Sequence, residues 1–289
     1  MRSSPESGWL RRVLTFVVFL ALVAVAWEAI KFVGGDPWRY FGWEWRPPLE
    51  IWFATDLKLP HVWEIVGALA RPVQRNADIS LAGYLVGAAV YTWREAAIGF
   101  VVGAVIGVAL AALFVHARLL ERALVPYVIA SQTIPIVALA PMIVFAFGQD
   151  VGSVVIIATY LTFFPVTIAM IRGLRSPDPR AIELMRSYAA SRWSIFWKLR
   201  MPASLPYLFT ALKISATASI VGAIVGEGPG GIPEGLGRAI INFNNQYISG
   251  PEKLWAAIVV TAVLGIVFFA VVRLAELFAL RGRAAAAGG

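Results

Sequence analysis

The chain has 289 residues, 59% of them apolar and 15% charged, with a mean hydropathy of +0.74, whereas a soluble domain carries about 25% charged residues. There is no cysteine and there are two histidines, His61 and His116, which excludes disulfides, thiol nucleophiles, thiolate metal sites and a histidine-built zinc or haem centre. The net charge of +8 would suit nucleic acid in a soluble chain. Here the charges bound long apolar runs, and such an excess reports orientation in a bilayer.

The runs suit helices rather than barrel strands. Six spans are expected, at roughly 13–33, 92–115, 124–148, 152–171, 207–226 and 254–280, each near the ~20 residues that cross a bilayer. The segments 1–12, 116–122, 172–206 and 281–289 carry 14 Lys/Arg against four Asp/Glu. The alternate segments 34–91, 148–151 and 227–253 carry 7 against ten. The positive-inside rule therefore places both termini in the cytoplasm.

Arg11-Arg12, an apolar run and Ala24-Val25-Ala26 have the layout of a signal peptide. The apolar run continues past Ala26 to Val33, so residues 1–33 are read as a retained transmembrane helix. Residues 34–86 form a Trp-rich external segment. Trp38, Trp43, Trp45, Trp52 and Trp63 alternate with charge there, as at a membrane interface. A short helix near 61–70 follows Pro60, and 81–91 is apolar but short and Gly-rich, which predicts a further interfacial or re-entrant helix. Residues 87–280 are the bundle proper and 281–289 a tail.

Gly99, Gly103 and Gly107 have small-xxx-small spacing, the sign of a close helix contact, within the chain or between two copies. The third span is broken: Ser131-Gln132-Thr133 precedes Pro135 and Pro141, and proline frees carbonyls that need other partners. Gln132 and Thr133 are candidates for a translocation path or for interhelical bonding, and Glu227, at the outer end of the fifth span, for the mouth of that path. Thr159 and Thr162 read as packing. The run Gly226–Gly231 matches G-x-G-x-x-G but follows a membrane helix and contains Pro229, so it reads as a tight external turn. No G-x-x-x-x-G-K-[ST], H-E-x-x-H or G-x-S-x-G occurs, and no catalytic or metal-ligating set is found.

Between Arg172 and Pro206 stand seven Lys/Arg and two Asp/Glu, a balance that cannot lie in lipid. Asp178 and Pro179 start a helix running to about Ala189. Ser191 caps a second, which places Trp193, Phe196, Trp197 and Arg200 on one face before Pro202 ends it. The expected product is a helical elbow with an aromatic root against the bundle and a basic tip.

This elbow resembles the loop of type I permeases of ATP-binding-cassette importers, E-A-A, then Gly six residues after the Glu, then I-x-L-P. Glu183 matches the Glu, Ala189 falls at the Gly, and Leu199-Arg200-Met201-Pro202 at I-x-L-P; Leu184, Met185 and Met201 depart from the pattern. A left-handed bend at Ala189 would cost about 1 kcal/mol or more. TWREAAIGFVVGAVIGVALAAL, TIPIVALAPMIVFAFG, FFPVTIAMIRGL and SIVGAIVGEGPGGIPEGLGRAI are similar to permeases for nitrate, sulfonate, taurine and thiamine-precursor or other pyrimidine-like solutes.

The resemblance implies an all-α type I permease fold in a bacterial inner membrane. It implies a second permease subunit, most simply a homodimer, two cytoplasmic ATPase subunits that bind ATP and magnesium, and an extracytoplasmic solute-binding protein. This chain would carry no cofactor and no enzymatic site. The resemblance also makes Glu183, Arg186, Ser187, Tyr188, Ala189, Ala190, Ser191, Arg192 and Trp193 the coupling segment seated on the ATPase. The alternative is a channel or secondary transporter working without ATPase, which would favour a longer chain with an inverted repeat and midplane ionisable groups.

Overall fold

The computed structural model describes residues 5–40, 43–74, 77–228 and 232–284. In chain order it has α1 (Pro5–Gly34), a hairpin of β1 (Trp38–Tyr40) and β2 (Trp43–Trp45), α2 (Val62–Ala70), α3 (Leu81–His116), α4 (Arg118–Ser131), α5 (Ile136–Phe147), α6 (Val151–Leu174), α7 (Pro179–Ser187), α8 (Arg192–Ile195), α9 (Met201–Glu227), α10 (Leu236–Asn245) and α11 (Pro251–Ala284). Among the described residues five helices are long and apolar enough to cross a bilayer. The α4/α5 pair, bent by 99° at its break, gives a sixth when counted as one broken span. The expected six-span, all-α architecture stands.

Two compact units divide the chain. Residues 1–84 and 242–257 form one, 85–241 and 258–289 the other. In the first, Trp27 donates its indole N–H to Pro60 O at 3.0 Å and meets Trp255 edge-on, ring centroids 4.9 Å apart. Trp38 pairs with Trp45 across the antiparallel hairpin, and Trp45 stacks on Phe32 at 4.6 Å. The hairpin of the Trp-rich segment is thus tied to α1 by Trp45 on Phe32, and an aromatic pair of this kind is worth about 0.5–1.5 kcal/mol beyond area.

The second unit is built on α6 against α9, with α3 laid on α6. The glycine spacing acts inside the chain. A β-carbon at Gly99 would meet Ala158 Cβ at 2.4 Å, one at Gly103 Thr162 Cβ at 2.6 Å, and one at Gly107 Val166 Cβ at 2.8 Å. Thr159 donates to Gly99 O at 3.2 Å across the same seam, and Thr162 is buried in it, so both threonines serve packing. Ala111, Phe114, Val166, Met170, Leu174, Phe196 and Ala211 form one core cluster of this unit.

Two sequence expectations fail for physical reasons. Residues 81–91 are not a separate helix but the start of α3, 36 residues long and therefore about 54 Å. No proline interrupts them, and their glycines are helical. Pro202 does not end a helix either. A π turn at Phe196–Arg200, in which Met201 N–H donates to Phe196 O, leads straight into α9. Proline at the first turn beyond that bulge lacks only a donor the ladder does not use.

Candidate functional site

The elbow is assembled by local capping. Asp178 accepts from Arg180 N at 2.8 Å and starts α7. Ala190 N donates to Met185 O at 3.0 Å and Ala189 N to Arg186 O at 2.9 Å, the paired bonds of a Schellman motif. Its C′ position is Ala189 at φ 54°, the one positive-φ residue other than glycine among the described residues. The left-handed bend is present although alanine stands where glycine costs least, at roughly 1–2 kcal/mol. Ser191 then accepts from Ser194 N at 3.1 Å and starts α8. Both sequence-read caps are formed, though α7 ends at Ser187.

At the tip, Glu183, Arg186, Ser187, Tyr188, Ala189, Ser191 and Arg192 are exposed and Ala190 is half-buried. Leu184, Tyr188 and Trp193 are 59%, 80% and 67% exposed. The aromatic root is narrower than expected. Phe196 is buried, its ring 5.1 Å from His116, whereas Trp193 and Trp197 are largely exposed. One helical turn cannot bury rings at i, i+3 and i+4 when the π turn widens it there. His116, whose Nδ1 lies 2.7 Å from Ala112 O, holds Phe196 in place. A lone histidine at a helix end gave no sequence signal for that role.

The inner polar groups behave differently. At the α4/α5 break, Ser131 Oγ donates to Val128 O at 2.8 Å and Thr133 Oγ1 to Ala130 O at 2.7 Å. Tyr160 donates to the Ser131 carbonyl, one of those the prolines free. Thr133 is satisfied locally and exposed, while Gln132 Nε2 is buried without a partner.

Glu227 is wholly buried. Its Oε2 accepts from Gly237 N at 2.7 Å, and its Oε1 has no hydrogen-bond partner. Gly235, at φ 95°, gives the carboxyl room, since a β-carbon there would lie 2.3 Å from Glu227 Cδ. Thr92 Oγ1 secures the same turn by accepting from Leu236 N at 2.8 Å. Facing Glu227 is Glu95, 1% exposed, with no hydrogen bond of ordinary geometry to either carboxyl oxygen. Sequence reasoning missed Glu95; an acid inside the apolar run TWREAAIGF was the available signal. The structure brings Glu227 to Glu95 rather than to Gln132 or Thr133. Of the run Gly226–Gly231, residues 229–231 lie outside the described residues.

Residues 103–277 match the family model of the binding-protein-dependent transport system inner membrane component. The chain belongs to that family. It is 37% identical over 179 residues to the formylaminopyrimidine transport permease ThiX of Halalkalibacterium halodurans, a match covering 62% of this chain and 70% of that one. It is 34% identical to the riboflavin transport permease RibX of Chloroflexus aurantiacus, covering 58% and 62%. It is 28% identical to the putative aliphatic sulfonates permease SsuC of Bacillus subtilis, covering 77% and 83%. The chain is a permease of this importer family, an inner-membrane transport subunit rather than an enzyme.

Proposed function

We propose that the chain imports a small polar solute by alternating access driven by a separate ATPase, with both termini cytoplasmic. In this reading the chain acts as a homodimer with two ATPase copies, which bind the ATP and magnesium, and takes solute from an extracytoplasmic binding protein. The names of the relatives, for formylaminopyrimidine, riboflavin and sulfonates, favour a pyrimidine-like or similarly small polar cargo.

The observation that carries the reading is the elbow. Its bend is held in a conformation alanine rarely adopts, and it presents Leu184, Tyr188 and Trp193 uncovered beside Glu183 and Arg186. Strain of this kind persists where the surroundings fix it, and it concentrates at working sites. A rigid elbow transmits a partner's closure. ATP binding must then favour one permease state, with the docked surface carrying that energy difference. Gln132, with its unmatched amide, and Glu227 are the proposed polar points of the path, and Thr133 is its exposed neighbour.

The test is recovery of the ATPase on a tagged chain. Glu183→Lys is expected to insert normally and to lose the ATPase, since breaking a desolvated polar contact at such an interface costs about 2–5 kcal/mol. Equal recovery by wild type and variant would remove Glu183 from the interface. Failure of the wild-type chain to retain any ATPase would favour a carrier working without one.

A further inference from the structure

A cavity of about 790 Å³ opens between the start of α4, the α6–α7 turn and α7. Its wall carries five arginines and two glutamates. One glutamate is already used: Glu121 is ion-paired with Arg175. Arg118, Arg122, Arg186 and Arg200 make no ion pair with any described carboxylate. Arg200 stands close enough to Arg175 and Arg186 to be repelled by both. The remaining glutamate, Glu183, points from α7 and has no described ion pair of its own.

Like charges gathered in one recess are unfavourable unless something of opposite sign enters. Folding alone does not need them there, since each could spread into water. The start of α4 adds to the field. Its N-cap is Ala117, which supplies no side-chain acceptor, so the positive end of this 14-residue helix, whose first turn carries Arg118 and Glu121 of the lining, is not neutralised by a cap. Guanidinium forks match the oxygens of a phosphate two at a time, and basic pockets among membrane helices are a known way to hold anionic headgroups.

We infer that this recess binds a phosphate-bearing anion, either the headgroup of an anionic phospholipid or a free phosphate compound. The recess adjoins the exposed tip of the elbow, sharing Glu183 and Arg186 with it, and α7 forms one of its walls. An occupant would neutralise Arg200 against Arg175 and Arg186 and tie α7 to α4.

The experiment uses the full chain purified in neutral detergent. Arg118→Gln, Arg122→Gln and Arg200→Gln are combined in one variant, and the same three positions changed to Lys in a second. Native mass spectrometry counts phosphatidylglycerol and phosphatidylcholine retained from mixed micelles, and equilibrium dialysis measures radiolabelled orthophosphate. The wild type should retain phosphatidylglycerol over phosphatidylcholine, and the glutamine variant should lose that preference by about tenfold or more, as the loss of charged hydrogen bonds predicts. The lysine variant should keep most of it, which separates lost charge from lost folding. Saturable orthophosphate binding with the same variant pattern, but no lipid preference, assigns the recess to a free phosphate compound. A wild type that shows neither lipid preference nor saturable phosphate overturns the inference, as does a folded glutamine variant that binds like the wild type.

Discussion

Two buried clusters of charge, one in each compact unit, are built on opposite plans. In the first unit, Lys31 is fully buried and its ammonium donates to Asp56 at 2.5 Å and to Leu59 O at 2.6 Å. Glu28 takes His61 Nδ1 at 2.7 Å and Val62 N at 2.7 Å, and His61 Nε2 lies 3.6 Å from Asp56. In the bundle unit, Glu95 and Glu227 face each other, and among their four carboxyl oxygens only one accepts a hydrogen bond of ordinary geometry. The first cluster fixes α1 to the loop that follows it. The second sets two acids against each other, with most of their oxygens outside ordinary hydrogen-bond geometry. Ionisable groups set inside a membrane bundle without a counter-charge are candidates for function rather than for fold stability.

The sharpest way to break this contrast is to remove the room given to Glu227. Gly235→Ala combines a left-handed backbone with a β-carbon set against the carboxyl. It should destabilise the detergent-solubilised chain by about 2–4 kcal/mol. An unchanged melting temperature would mean that the carboxyl does not occupy this turn. Next comes the Lys31 cluster. Asp56→Ala leaves the buried Lys31 ammonium with one carbonyl, and a loss of about 1–3 kcal/mol is expected; half of Asp56 is in contact with solvent, which favours the lower end. Melting equal to wild type would show that the network contributes nothing.

The smallest effect is predicted for Glu95→Gln. The amide keeps the shape and can stand in for the carboxyl beside Glu227 and Tyr91, so melting should move by less than about 1 kcal/mol. A loss several times larger would reveal a partner for Glu95 and erase the difference between the clusters. The same logic applies to Gln132→Leu. It should lower uptake while leaving ATPase recovery intact if the amide serves the path. If the amide serves packing, it should lower melting by about 0.6–2 kcal/mol with uptake unchanged.

The sequence by itself determined the span number, because backbone groups in lipid must be satisfied within a helix, and that requirement prints apolar runs of fixed length. It also determined the elbow's caps at Asp178 and Ser191, since a cap is a bond between residues two or three apart. It placed a glycine seam on α3, whose partner helix it could not name. What is decided between distant residues was settled by the tertiary structure alone. The acid in TWREAAIGF meets Glu227 across more than a hundred residues. His116 seats Phe196 from another helix while the neighbouring tryptophans stay out. Arginines from four separate stretches line one recess. Ala189 shows the boundary most clearly. Its residue type argued against a left-handed bend, and the Schellman bonds together with the two capped helices on either side impose one. Local propensity amounts to about a kilocalorie there, and the surrounding contacts outweigh it.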